Sequence, residues 1–327
     1  MQAGLLTTLK GEPGTASTYR ATEKLYSVAE GHGVTEQSLT LRLPPERLVR
    51  LRRGNFETPL LDFEPTANTN HWAVLLEAYN GFLAQQDIAL DLSADEQTEW
   101  VKRLNKDRKR TDPRICRPEL IQTDLYRQFC HASFEQGGRL YGGWWINAPK
   151  DLRKKITING EPVAECDYSG CAIRMLYHEN RIEYTDDPYW IGIVSDCEKA
   201  EGLPPGYFRE GLKAITQTLL NGDMENRPEN ARISFSFKPY FSRPQVRKML
   251  LEKHTPIASA FGSRAGLRLQ RKDSDLALSI ITDLREQGIV ALPIHDSFLV
   301  PQKDKENLIK SMNYHYKEMI GFNPIIK

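Results

Sequence analysis

"ALPIHDSFLV", residues 291–300, sets three polar side chains, His295, Asp296 and Ser297, in the middle of an otherwise apolar run. An unpaired carboxylate buried in a strand is costly, so the Asp needs a reason. One reason is a plain turn between two short strands, Ala291–Ile294 and Phe298–Val300, with polar residues at the bend. The other is a hairpin tip that presents a carboxylate to a metal ion. The ten residues alone leave both open, and the rest of the chain has to choose.

The 327 residues accommodate one large domain or two to three subdomains with ample core. A hydrophobic content of 40% and a charged content of 27% describe an ordinary globular chain. The net charge is +1, so a nucleic-acid surface would have to be a local patch. Five cysteines, at 116, 130, 166, 171 and 197, form no CxxC pair and are odd in number, against a disulfide framework or a zinc ribbon. "MQAGLLTTLKGEPG" lacks the apolar core of a signal peptide, and no run approaches membrane-spanning length. The expectation is a cytoplasmic protein with no membrane partner.

Residues 1–135 read as mainly helical with loop interruptions. "HWAVLLEAYNGFLAQQ" (71–86) places Trp72, Leu75, Leu76, Tyr79 and Leu83 on one helical side. "LSADEQTEWVKRLNK" (92–106) opens with Ser93 and, three residues on, Glu96, the pattern of a capping box. Two stretches are basic, "ERLVRLRRG" (46–54) and "KRLNKDRKRTDPRICR" (102–117). The second carries eight Lys or Arg against two Asp. It is either a solvated helix face or a track for phosphates that releases counterions. From Gly137 the chain turns Gly- and aromatic-rich. "ITINGEPVAECDYSG" (156–170) predicts a hairpin turning at Asn159-Gly160, its second strand ending in Asp167. Helices are expected over about Cys171–Asn180, within 203–222 up to Gly222, over 273–288 and over about Lys303–Met319.

Asp167 and Asp296 thus both stand at strand ends, and phosphoryl transfer with two divalent ions needs such a carboxylate pair. Arg209, Lys213, Gln217 and Asn221 recur every four residues, a slanted polar stripe on one helix, with Leu212, Ile215 and Leu219 for the other side. A stripe that starts with Arg and Lys suits a triphosphate, and its amide end a base or sugar. A solvated face is the plainer explanation for any lone helix.

Four segments carry a resemblance. "DYSGCAIRMLYH" (167–178) resembles motif A of family A DNA polymerases, the bacterial polymerase I type. "REGLKAITQTLLNG" (209–222) is similar to their motif B, and "LPIHDSFLV" (292–300) to motif C with His-Asp at a hairpin tip. "GRLYGGWWINAP" (138–149) resembles the upstream Gly-Arg-Leu segment. The four occur in the family's order and cover roughly 137–327. The resemblance implies that Asp167 and Asp296 bind two Mg²⁺, or Mn²⁺ in its place, with the Tyr168 carbonyl as a further ligand. It implies that Arg209 and Lys213 grip the triphosphate, Lys213 also aiding pyrophosphate departure, and that Arg139 and His295 touch primer terminus or duplex. Phosphoryl transfer relies on positioning and charge stabilisation, which these groups supply.

Three positions depart from the family. Its DNA polymerases carry Glu five residues after the first Asp, crowding the sugar 2′ position; here stands Ala172. The aromatic expected near the inner end of motif B is replaced by Gln217 or Asn221. After His-Asp the DNA enzymes place Glu, whereas this chain has Ser297, and His-Asp-Ser with a small gate residue is similar to phage-type single-subunit RNA polymerases.

The fold expected is α+β: a right-hand palm, an antiparallel sheet packed by helices, over 137–178 and 270–327, with helical fingers over 179–269. Residues 1–136 would form a mainly helical domain, thumb-like or nucleic-acid-binding, with Lys106, Arg108, Lys109 and Arg110 on template or duplex. The function expected is template-directed nucleotide polymerisation from dNTP or NTP on a nucleic-acid template, with primer or duplex, and with weak sugar discrimination. A primase-like or single-subunit RNA polymerase stays close to it. An inactive palm that only grips nucleic acid conflicts with the retained Asp167, Asp296, Lys213 and Arg209. A metal phosphohydrolase would need further ligands beside His295 and Asp296, and Ser297 next to His295 does not make a triad.

Overall fold

A computed structural model describes residues 5–9, 18–33, 42–55, 58–93, 95–96, 99, 122–222 and 237–327. Strand β1 (Leu6–Leu9) pairs with β2 (Thr18–Ala21), and α1 (Glu23–Gly31) follows. Then come β3 (Val49–Arg52), β4 (Leu60–Leu61), α2 (Ala67–Leu83), β5 (Ile88–Leu90), β6 (Tyr126–Cys130) and β7 (Ser133–Tyr141). A first sheet runs β4-β3-β6-β7, parallel only between β3 and β6. The described part of 1–136 is therefore mixed, two helices among short strands, rather than mainly helical. In β3, Val49 and Leu51 are buried while Arg50 and Arg52 are half-buried, a period of two that the surrounding basic residues disguise. Position 136/137, expected as a domain boundary, falls inside β7.

The second half continues with α3 (Lys150–Arg153), β8 (Ile156–Ile158), β9 (Glu161–Asp167), α4 (Cys171–Glu179), α5 (Gly192–Ala200), α6 (Arg209–Asn221) and α7 (Arg243–Lys253). The last elements are α8 (Ala265–Glu286), β10 (Leu292–Ile294), β11 (Ser297–Pro301) and α9 (Lys305–Ile320). Asn159 and Gly160 both take positive φ, 52° and 78°, which the two-residue loop between β8 and β9 demands. These strands build a second, antiparallel sheet in the order β10-β11-β9-β8-β5. The mixture of helix with antiparallel sheets fits the α+β class. Helix α8 starts eight residues before the expected 273, because Leu269 extends its apolar face.

Leu269, Leu276, Ile280, Ile281 and Leu284 bury that face of α8, which packs along β7. Each fully buried Leu or Ile contributes about 1.5–3 kcal/mol relative to exposure. The strand leading to the hairpin tip is fixed from two sides. Tyr79 of α2 donates to the Ala291 carbonyl at 2.5 Å, and Trp145 donates to the Pro293 carbonyl at 3.1 Å. Among the described residues no helix is long and apolar enough to cross a membrane.

Candidate active site

Ile294 pairs with Ser297, so His295 and Asp296 are the two-residue tip of the β10–β11 hairpin. Ser297 in turn lies opposite Asp167 on β9, and the Tyr168 amide donates to the Asp296 carbonyl at 3.1 Å. The register therefore brings Asp167 and Asp296 to the same end of neighbouring strands. Burial, then the charge of Asp296, pushes the Asp167 carboxyl up to about 7, while Lys213 and Lys150 pull it down. Neither carboxylate has a hydrogen-bond or ion-pair partner among the described residues.

Helix α6 supplies the facing wall. Leu212, Ile215 and Leu219 are buried, which turns the slanted stripe of Arg209, Lys213, Gln217 and Asn221 outward. All four stripe residues line one cavity of about 290 Å³ together with Asp167 and Asp296. Ala172, on the first turn of α4, and Arg139 of β7 line it too. Tyr168 borders the cavity, but its hydroxyl is turned away to the Met312 carbonyl at 2.6 Å.

His295 stands beside the cavity rather than on its wall, edge-on to Tyr141 with ring centres 5.9 Å apart. Burial, with the Arg139 charge, lowers it to about 4, so its ring is neutral at pH 7. The Ser297 hydroxyl lies 3.0 Å from the Glu165 carboxylate and 3.3 Å from the Ile294 carbonyl, either of which accepts its one proton, and it does not bond His295. Lys106, Arg108, Lys109 and Arg110, with the whole stretch 102–117 and most of 92–106, lie outside the described residues. Ser93 and Glu96 do exchange the bonds of a capping box.

The cavity holds groups the sequence did not single out. Asp273 of α8, 6% exposed, accepts from Arg139 at 3.3 Å. Burial and the Asp296 charge raise its carboxyl to about 7 against the opposing pull of Arg139. Its signal was present: Asp273 lies three residues before Leu276, on the apolar face, where a charge needs a partner. Tyr189 reaches the cavity from the loop between α4 and α5, and burial keeps its hydroxyl protonated, pushed up to about 12. Asp187, two residues earlier, binds Arg209. Nothing in "TDDPYW" marks that loop.

The carboxylate pair suits a divalent cation. Two unpartnered carboxylates, one raised in proton affinity by burial and by the charge of the other, are a deficit of positive charge, which Mg²⁺ relieves while taking its other ligands from water and phosphate. Among the described residues no three His, Cys, Asp or Glu side chains gather at metal-binding spacing.

No protein-family model matches the chain, and no curated protein matches it. Among solved structures, the chain is similar to the POL domain of Pol1 from M. smegmatis, in complex with DNA primer-template and dNTP, at 11% identity and a TM-score of 0.34. The similarity covers 80% of this chain and 51% of that one, so the chain spans about half the length of that domain.

Proposed function

We propose that this chain is a nucleotidyltransferase that extends a nucleic-acid 3′ end on a template, from dNTP or NTP, with weak sugar discrimination. The observation that carries it is the meeting, in one cavity, of the strand-end carboxylates Asp167 and Asp296 with the Arg209–Lys213–Gln217–Asn221 stripe. A carboxylate pair facing a cationic helix is what a triphosphate and its counterions require. Asp167 and Asp296 would hold Mg²⁺ or Mn²⁺, with the Tyr168 carbonyl beside them. When bound, the ions supply charge neutralisation for the attacking and departing oxygens. Arg209 and Lys213 hold the phosphates and offset charge on the departing pyrophosphate. Gln217 and Asn221 reach sugar or base, and Arg139 and His295 face the primer end. In this reading residues around β9 and the hairpin act as palm and α5 to α7 as fingers.

Asp296→Asn tests it. Primer extension and de novo synthesis are run on DNA and RNA templates, with dNTPs and NTPs supplied separately. The parent should incorporate nucleotide with Mg²⁺ and the variant should not, while its melting curve shows a folded protein. A variant as active as the parent would overturn the two-carboxylate mechanism. Synthesis from NTPs without a primer would favour the primase-like form.

A further inference from the structure

Ala172 leaves the sugar side of the cavity thinly walled, and a large side chain stands beside it. Tyr189 is 4% exposed and lines the same cavity as Ala172, Arg209 and Gln217. Its ring lies 5.2 Å from the Arg209 guanidinium, and its hydroxyl faces the Gln217 side chain. Its position is built. The buried Arg174 donates to the carbonyls of Ser169 (2.7 Å), Tyr184 and Asp186 (2.9 Å), stitching the loop to the end of β9. His254 bonds the Pro188 carbonyl at 2.9 Å, and the Tyr189 amide donates to Asp187 at 2.9 Å. Gly170 takes φ +60° and has no room for a side chain, since a Cβ there would lie 2.6 Å from Pro188 Cγ. A loop pinned at so many points holds its aromatic in a fixed place.

We infer that Tyr189 is a specificity-determining residue of the nucleotide site, its ring forming the wall that meets the sugar of a nucleoside triphosphate where Ala172 is too small to do so. This rests on the polymerase reading above. With the phosphates on Arg209 and Lys213 and the α-phosphate toward Asp167 and Asp296, the sugar lies in the cavity that Ala172 and Tyr189 both line, the Tyr189 ring reaching from Arg209 to Gln217. A rigid ring edge limits a 2′-hydroxyl sterically, while a methyl leaves it free.

The test compares kcat/KM for matched NTP and dNTP pairs in the parent, Tyr189→Ala and Tyr189→Trp, with equilibrium binding of the same pairs by calorimetry. Tyr189→Ala should raise the NTP-to-dNTP ratio severalfold, the modest discrimination of the parent being what it removes, and Tyr189→Trp should lower it, with the same direction in binding. If Tyr189→Ala melts as an unfolded chain, Tyr189→Leu replaces it with the same expectation, because it keeps apolar bulk but no ring. Equal losses for both sugars, with the ratio unmoved, would make Tyr189 a packing residue and overturn the assignment alone. A folded parent that incorporates neither class on any template would overturn the polymerase reading itself.

Discussion

Asp187 holds the Arg209 guanidinium with both carboxylate oxygens, Nε to Oδ2 at 2.9 Å and Nη2 to Oδ1 at 3.3 Å. The planar fork that suits a phosphate is thus filled by a carboxylate of the chain itself. The two side chains are 34% and 38% exposed, and such a pair is worth at most about 1 kcal/mol, or roughly fivefold in an equilibrium constant. Asp187→Asn should therefore lower the nucleotide KM by up to about fivefold with kcat little changed. A KM that rises in primer-extension kinetics would mean that Asp187 aims Arg209 rather than competing with phosphate.

Asp167 carries a second measurable consequence. Its carboxyl is raised from 3.8 to about 7 by burial and by Asp296. The folded chain keeps a proton that the unfolded chain has lost, so this contribution to stability falls as pH rises through that window and is level above it. Asp167→Asn cannot ionise. It should gain on the parent in thermal melts with a chelator as pH rises from about 4 to 7, and hold that gain above. Added Mg²⁺ should shrink the gain by stabilising the parent alone. A difference that does not change with pH would contradict the charge conflict between the two carboxylates.

His254 works in the opposite sense. It is fully buried, and its Nε2 must donate to the Pro188 carbonyl at 2.9 Å, which leaves Nδ1 to accept from Tyr177 at 3.1 Å. That neutral tautomer satisfies both partners, and burial lowers the ring from 6.5 to about 4. The unfolded chain binds the proton first, so stability is fully present above 6.5 and declines as pH falls toward 4, by roughly 3 kcal/mol. His254→Gln should be less stable than the parent at pH 7.5, with the gap closing at pH 4.5. Parallel melting profiles for the two proteins would refute the buried neutral ring.

The second half was legible because its signals are local. Asn159-Gly160 between alternating strands, the apolar runs around His295-Asp296, and the four-residue spacing from Arg209 to Asn221 each name an element and its exposed side. The convergence of Asp167, Asp296 and α6 depends on strand order, which the resemblance carried and no single segment could. The strands before β7 were missed because two- to five-residue pieces such as Leu60–Leu61 and Val49–Arg52 are too short for a period to stand out. Tyr189 and Asp187 were invisible for a different reason. Their place is set by Arg174 bonding backbone carbonyls, and carbonyls leave no mark in a sequence.

Arg174 should accordingly be costly to replace. It is 4% exposed and serves carbonyls on both the β9 end and the Tyr184–Asp186 loop. Arg174→Met keeps the volume but orphans those acceptors, a loss of about 3 kcal/mol even where water recovers some of them. Denaturant unfolding should show the lower midpoint. Surviving folded protein should also show a raised NTP-to-dNTP ratio of kcat/KM, because the loop carrying Tyr189 loses its anchor. A variant with parental stability would mean that the loop holds without the guanidinium.

Ala172 gives the sharpest contrast between shape and charge. It lies five residues beyond Asp167, on the first turn of α4, and borders the cavity that Asp167 and Asp296 share. A long side chain there projects toward the place where the sugar would sit, so it should depress NTP use far more than dNTP use. Glutamate would also add a further carboxylate beside Asp167, already raised to about 7 by burial and by the Asp296 charge, and would repel both triphosphates alike. The two effects separate in a pair of variants. Ala172→Gln fills the volume without the charge and should lower the NTP-to-dNTP ratio of kcat/KM by about 10–200-fold, the range steric pockets achieve. Ala172→Glu should show the same shift in ratio together with a loss for both sugars, a loss that shrinks as Mg²⁺ is raised. If Gln impairs both sugars equally, residue 172 is only packed beneath the loop and the cost is overpacking. If Glu alone moves the ratio, the discrimination is electrostatic, and the steric account of this position is wrong.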